Sequence, residues 1–190
     1  MANKRVYFLP GRGEGLSDGV GRLITTMGYS IRGRETVRDF AQLRFAEQLV
    51  LIKSDLQTTS WKPDATLVAR SHGAYLLLNT LAEMSPFPGR ILLLSPVLGA
   101  AVANNGFYVS RPPRAERFAN VVENGEFPIP RYLEIHTGGE DNGCDPQLAN
   151  RFAALVSGTR LQIVAGAGHD LGDEYTRSAL REFLSESVAH

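Results

Sequence analysis

Apolar residues along this chain fall into two alternating rhythms. Short, almost unbroken apolar runs recur at Val6–Leu9, about Tyr29–Arg32, Thr66–Ala69, Arg90–Leu94, Tyr132–His136 and Leu161–Ala165. Runs this short, bounded by turn residues, predict buried strands. Between them the apolar positions space out by three and four, as an amphipathic helix requires. Ser17 caps a first predicted helix that carries Val20, Leu23, Ile24 and Met27 and closes at Gly28. Asp39 caps a second, with Phe40, Leu43, Ala46 and Val50 on one face. Further helices are predicted at Leu76–Met84, Arg114–Val122, Pro146–Val156 and Tyr175–Leu184. Strand and helix alternate throughout, which predicts an α/β fold: a three-layer α/β/α sandwich whose parallel sheet is covered on both faces by right-handed crossovers.

One stretch breaks the alternation. Between Pro96 and Pro130 the chain carries Gly99, Gly106, Gly125, Pro112, Pro113 and Pro128, and it is long for a plain connection. Such loops serve as lids or as surface crossovers, and a short lid-like insertion is expected near 97–130. No internal repeat, low-complexity tract or linker interrupts the rest. The 190 residues are therefore expected to form a single domain.

Composition narrows the setting. Twenty Lys and Arg balance 20 Asp and Glu, so no long-range attraction to nucleic acid or to an anionic membrane is expected. The start, Met-Ala-Asn-Lys-Arg, runs directly into the first predicted strand without an apolar leader. Cys144 is the one cysteine, so neither an internal disulfide nor a thiolate metal cluster can form. The expectation is a soluble, cytoplasmic protein with no metal and no organic cofactor.

Candidate chemistry sits at the ends of predicted strands. In Leu67-Val68-Ala69-Arg70-Ser71-His72-Gly73-Ala74 a buried strand turns on Ser71 and resumes as a helix. A serine on so sharp a turn presents its hydroxyl at the carboxyl edge of the sheet, beside helix amides that favour negative charge. Small Ala69 and Gly73 suit the close approach of strand and helix. A serine there also suits a helix cap. His169 follows the last predicted strand through Gly166 and Gly168, and an imidazole takes and returns protons near neutrality. After the fifth strand, Gly138-Gly139-Glu140-Asp141-Asn142-Gly143-Cys144-Asp145 offers Asp141, Asp145 or Glu140 as the acceptor for the second ring N–H. The same residues would also make an ordinary solvated turn.

Serine, acid and histidine closing successive parallel strands is the chain order of the α/β-hydrolases, and the sequence resembles a compact, lid-poor serine hydrolase of that superfamily over nearly its whole length. The resemblance implies six parallel strands in the order 2-1-3-4-5-6. It implies Ser71 as nucleophile, His169 as general base and then acid, and Asp141 as the orienting carboxylate, because Gly138-Gly139-Glu140-Asp141 matches the family's Gly-x-x-Asp. Asp145 is the fallback. Leu9-Pro10-Gly11-Arg12-Gly13 is similar to the loop that supplies an oxyanion-hole amide, which would pair the backbone N–H of Arg12 with that of His72. The implied activity is carboxylesterase-like hydrolysis of an ester or thioester of a small acyl substrate. Phe107, Tyr108 and Arg111 are the further substrate-binding candidates.

The sequence admits three other readings. Gly11-Arg-Gly13-Glu-Gly15 invites a dinucleotide site, but Leu16 stands where the third glycine belongs. Arg12, Arg32 and Arg34 would make an anion patch if clustered. The alternative from another class is a non-catalytic scaffold of the same fold that binds a ligand or a protein. Of the other polar residues, His136 is expected to pack in the core, Cys144 to be a bystander and Trp61 to pack at the core or its rim.

Overall fold

The computed structural model describes residues 5–99, 101–102 and 109–185. Six strands, β1 (Arg5–Leu9), β2 (Ser30–Gly33), β3 (Thr66–Arg70), β4 (Arg90–Leu94), β5 (Tyr132–Gly138) and β6 (Thr159–Val164), form one sheet in the order β2-β1-β3-β4-β5-β6. Every pairing in it is parallel. This is the expected architecture and the expected order. The chain winds outward from β1 to β2, then crosses back over β1 and steps outward from β3 to β6. Because all strands run the same way, the loops after β1, β3, β5 and β6 gather at one edge, next to the point where the winding reverses.

The helices are α1 (Gly19–Thr26), α2 (Arg38–Gln42), α3 (Phe45–Asp55, continued by a π-helical turn Leu56–Ser60), α4 (Ser71–Leu81), α5 (Ala115–Glu123), α6 (Pro146–Leu155) and α7 (Asp173–Ser185). Strand side chains alternate between two cores, as the two-residue repeat of a strand dictates. Tyr7, Leu9, Leu67, Ala69, Ile91, Leu93, Leu133 and Ile135 pack with α3, α4, α5 and α6. Val6, Phe8, Val68, Leu92 and Leu94 pack with α1 and α7. Burial on both faces is why β1, β3 and β4 read as continuous apolar runs. The central α4 is buried along its whole length from Gly73 to Leu81.

Three departures from the sequence reading have local causes. The N-cap of α1 is Asp18, not Ser17. The helix expected to be capped by Asp39 is two helices: Val37 is the N-cap of the first, which holds Asp39 in its first turn, and the extended Leu43 and Arg44 part it from the second. The Glu47 side chain then accepts a hydrogen bond from Arg44 N at 2.8 Å, which restarts the helix at Phe45. The break shifts the buried stripe to Gln48, Leu49 and Ile52, and Val50 is left 65% exposed. At the sheet's far edge β6 starts at Thr159, and its Arg160 and Gln162 face solvent, so it alternates instead of reading as an apolar run.

Within 97–130 the described residues form a short antiparallel pair, Ala101–Val102 with Val109–Ser110, followed by α5. α5 belongs to the core layer: Phe118 stacks on Phe152 at 6.1 Å, and the Tyr75 hydroxyl donates to Pro113 O at 2.8 Å. Trp61 meets Phe87 edge-on at 5.3 Å. No described helix is long and apolar enough to cross a membrane.

Candidate active site

Ser71 begins α4 directly after the extended Arg70, and it does so at φ +51°. That is left-handed backbone, which a residue with a Cβ adopts only under constraint. The constraint is the close packing of the turn. A Cβ on Gly73 would collide with the carbonyl oxygens of Leu9 and Pro10, so only glycine lets α4 start against the end of β1. The Ser71 carbonyl in turn accepts a hydrogen bond from Val97 N at 3.2 Å.

The other two loops are fitted to each other in the same way. A Cβ on Gly138 would meet the carbonyls of Ala167 and Gly168. Gly139 N donates to Val164 O and Glu140 N to Ala167 O, each at 2.9 Å, so the loop after β5 is laced to the loop after β6. That lacing brings three side chains from distant parts of the chain into one line. His169 Nε2 lies 2.9 Å from Ser71 Oγ, and His169 Nδ1 lies 3.1 and 3.2 Å from the two carboxylate oxygens of Asp141. Asp141 is buried, and its Oδ1 also accepts from Gly143 N and Cys144 N at 2.8 Å, which fixes the plane of the carboxylate. His169 is half open to solvent, with a side-chain exposure of 38%. The arrangement puts one ring nitrogen against the acid and the other against the hydroxyl, so an imidazole carrying its proton on Nδ1 would meet the hydroxyl with the lone pair of Nε2.

The alternatives for the acid lie elsewhere. Asp145 caps α6, accepting from Gln147 N at 2.8 Å, and Glu140 is exposed. Cys144 is buried with its Sγ 2.7 Å from Ser95 O, and burial together with the Asp141 charge pushes its thiol well up from the usual range. Donor atoms of Asp141, Cys144 and His169 lie within 4.8 Å of one another. A neutral thiol and a carboxylate already taken by backbone amides suit hydrogen bonding better than a metal, which needs the thiolate.

The turn at Ser71 leaves backbone amides without acceptors among the described residues. The first turn of a helix leaves N–H groups without intrahelical acceptors, and His72 N is one of them. Arg12 lies in the loop after β1, whose end abuts that turn through Gly73, and no described residue accepts from its N–H. The His72 imidazole is pushed down to about 4, first by burial and then by the nearby Arg12 guanidinium. A pocket of about 150 Å³ opens beside His169, with Glu14, Arg70, Ser95 and Asp173 in its walls. The Ser95 hydroxyl is the one buried side-chain oxygen without a partner among the described residues, and its backbone is left-handed at φ +44°. Arg111 is exposed and outside the hydrogen-bonded group at Ser71. Phe107 and Tyr108 lie outside the described residues. His136 is buried on the α7 side of the sheet, bonded at 2.7 Å to both Glu134 and Tyr175.

Two features here escaped the sequence reading. The amides of Gly143 and Cys144 orient Asp141, a signal contained only in the Asp-Asn-Gly turn. Glu14 pairs with Arg70, 56 positions away, for which one sequence offers no signal.

No protein-family model matches the chain, and no curated protein matches it. Solved structures do. Est1E from Butyrivibrio proteoclasticus superposes with a TM-score of 0.69 at 13% identity, over 98% of this chain and 89% of that one. The carboxylesterase CesB (YbfK) from Bacillus subtilis gives 0.69 at 15% identity, over 98% and 85%. A monoacylglycerol lipase from Paleococcus ferrophilus gives 0.69 at 15% identity, over 96% and 95%.

Proposed function

We propose that this chain, whose fold is that of the α/β-hydrolases, is a serine hydrolase that cleaves a carboxylic ester or thioester of a small substrate. The observation that carries the reading is the unbroken hydrogen-bonded line from Ser71 Oγ through His169 to buried Asp141. That an esterase and a lipase are among the proteins that share the fold supports it.

The chemistry follows from the line. Ser71 Oγ attacks the carbonyl carbon while His169 Nε2 takes the hydroxyl proton, and Asp141 stabilises the imidazolium through Nδ1–H. The carbonyl oxygen becomes an oxyanion held by the N–H groups of Arg12 and His72. When the intermediate collapses, the bond to the leaving oxygen or sulfur breaks and His169 returns its proton to that atom. The acyl group is left on Ser71. Water attacks the acyl-enzyme with His169 again as base, which releases the acid and restores the serine.

A fluorophosphonate probe should label the wild-type chain at Ser71 and leave Ser71→Ala unlabelled. Asp141→Asn should cost roughly 10⁴-fold in kcat on a short-chain aryl ester, because the amide turns the imidazole to the wrong tautomer. Asp145→Asn, still a competent helix cap, should keep its activity. Labelling that survives Ser71→Ala removes the nucleophile from this reading. A folded wild-type chain that neither reacts with the probe nor turns over any ester or thioester leaves a binding scaffold instead.

A further inference from the structure

The loop Gly11-Arg12-Gly13 has no strand or helix to hold it, yet its backbone is tied on both sides of Arg12. Gly13 N donates to Thr36 O at 3.2 Å, Thr36 N to Glu14 O at 3.1 Å, and Glu14 N to Gly11 O at 3.2 Å. The Thr36 hydroxyl donates to Gly11 O as well. The Glu14 carboxylate completes the set with both its oxygens. Oε2 accepts from Gly11 N at 2.9 Å, and Oε1 pairs with Arg70 Nη1. Arg70 is the residue directly before Ser71. One carboxylate thus joins the loop that carries the Arg12 amide to the strand end that carries the nucleophile. Glu14 and Arg70 are only 27% and 20% exposed and form a wall of the pocket beside His169. The fit is close: a Cβ on Gly11 would stand 3.1 Å from Glu14 Oε2 and 3.2 Å from Arg70 Nη1.

We propose that Glu14 is a positioning residue, whose clamp between Gly11 N–H and the Arg70 guanidinium sets the distance from the Arg12 amide to the oxyanion formed at Ser71. The inference rests on the hydrolase reading above. A partly exposed ion pair contributes little to stability, so the effect of this one is on geometry. Misplacing a group in a catalytic site by about 1 Å costs on the order of 100-fold in rate.

The test compares Glu14→Gln, Arg70→Met and the double variant on p-nitrophenyl acetate, with melting temperature and fluorophosphonate labelling followed in parallel. Each single change should lower kcat by about tenfold or more and move KM by less than about threefold, since only the transition state carries the oxyanion. The double variant should be no slower than the slower single one, because both changes break the same clamp. Arg70→Lys, which keeps the cation, should recover most of kcat. If Glu14→Gln does not fold, Arg70→Met and Arg70→Lys still decide the matter. Folded variants with wild-type kcat overturn the clamp, as do losses that multiply in the double variant. A wild-type chain without labelling or turnover overturns the hydrolase reading and the clamp together, whereas an active wild type with an equally active Glu14→Gln overturns the clamp alone.

Discussion

Ser71 holds a left-handed backbone at φ +51°, and the strain can be measured apart from the hydroxyl. Ser71→Ala and Ser71→Gly both remove the oxygen that bonds His169, but only glycine adopts this conformation without a Cβ penalty of about 1 kcal/mol. Both variants should be inactive, and Ser71→Gly should melt a few degrees above Ser71→Ala. Equal melting temperatures would mean that the turn stores no strain. His72, the next residue, makes a pH-dependent contribution of its own. Its pKa is held at about 4 in the folded chain against about 6.5 unfolded, first by burial and then by Arg12. Between those values the unfolded chain binds the extra proton, so the contribution is complete above pH 6.5 and is lost as the pH falls toward 4. The melting temperature of the wild type should therefore drop more steeply over that interval than that of His72→Gln. Parallel curves would place the imidazole in water.

The helix run from Arg38 to Asp55 shows where sequence periodicity serves and where it misleads. Apolar residues at 40, 43, 46 and 50 fit one continuous helix, but the extended Leu43 and Arg44 divide it and turn its second half. Ile52 is then fully buried while Val50 faces solvent. Ile52→Ala should cost about 2–5 kcal/mol of stability in denaturant unfolding, whereas Val50→Glu should stay within about 0.5 kcal/mol. The reverse ranking would restore the single helix. Elsewhere the elements were legible for a physical reason: β1, β3 and β4 are buried on both faces, so each is apolar almost throughout. The edge strand β6 is open on one side, and Arg160 and Gln162 concealed its start. The site divides along the same line. Ser71, Asp141 and His169 each end a strand in a recognisable local motif. Glu14 and Arg70 are ordinary charged residues until the fold brings them together.

At the scale of the whole molecule, the two edges of the sheet have different work. The loops after β1, β3, β5 and β6 meet at the carboxyl edge, while the amino edge carries an anchor. There Arg90, the first residue of β4 and buried, sits with its guanidinium 4.7 Å from the Tyr132 ring centroid and 4.4 Å from that of Phe183. Its Nη1 donates to Phe183 O at 2.8 Å, which fastens the last turns of α7 to the sheet. The first turn of α7 lies at the other end, just past His169, and is held by separate contacts: Leu171 is buried and Gly172 N donates to Asp170 Oδ1 at 2.9 Å. Arg90→Met keeps the stem but loses the charged hydrogen bond and the ring contacts, at a cost of about 2–3 kcal/mol. That is a fall of about 4–12 °C in melting temperature for a chain of this size. Well below the melting point, turnover per folded molecule should stay within about twofold of wild type. Amide exchange should quicken in the last turns of α7 and not in the loops around Asp141 and His169. A tenfold loss of kcat in folded Arg90→Met would mean that α7 transmits strain from one edge of the sheet to the other, and that the anchor helps to set the His169–Ser71 distance as well as to hold the fold.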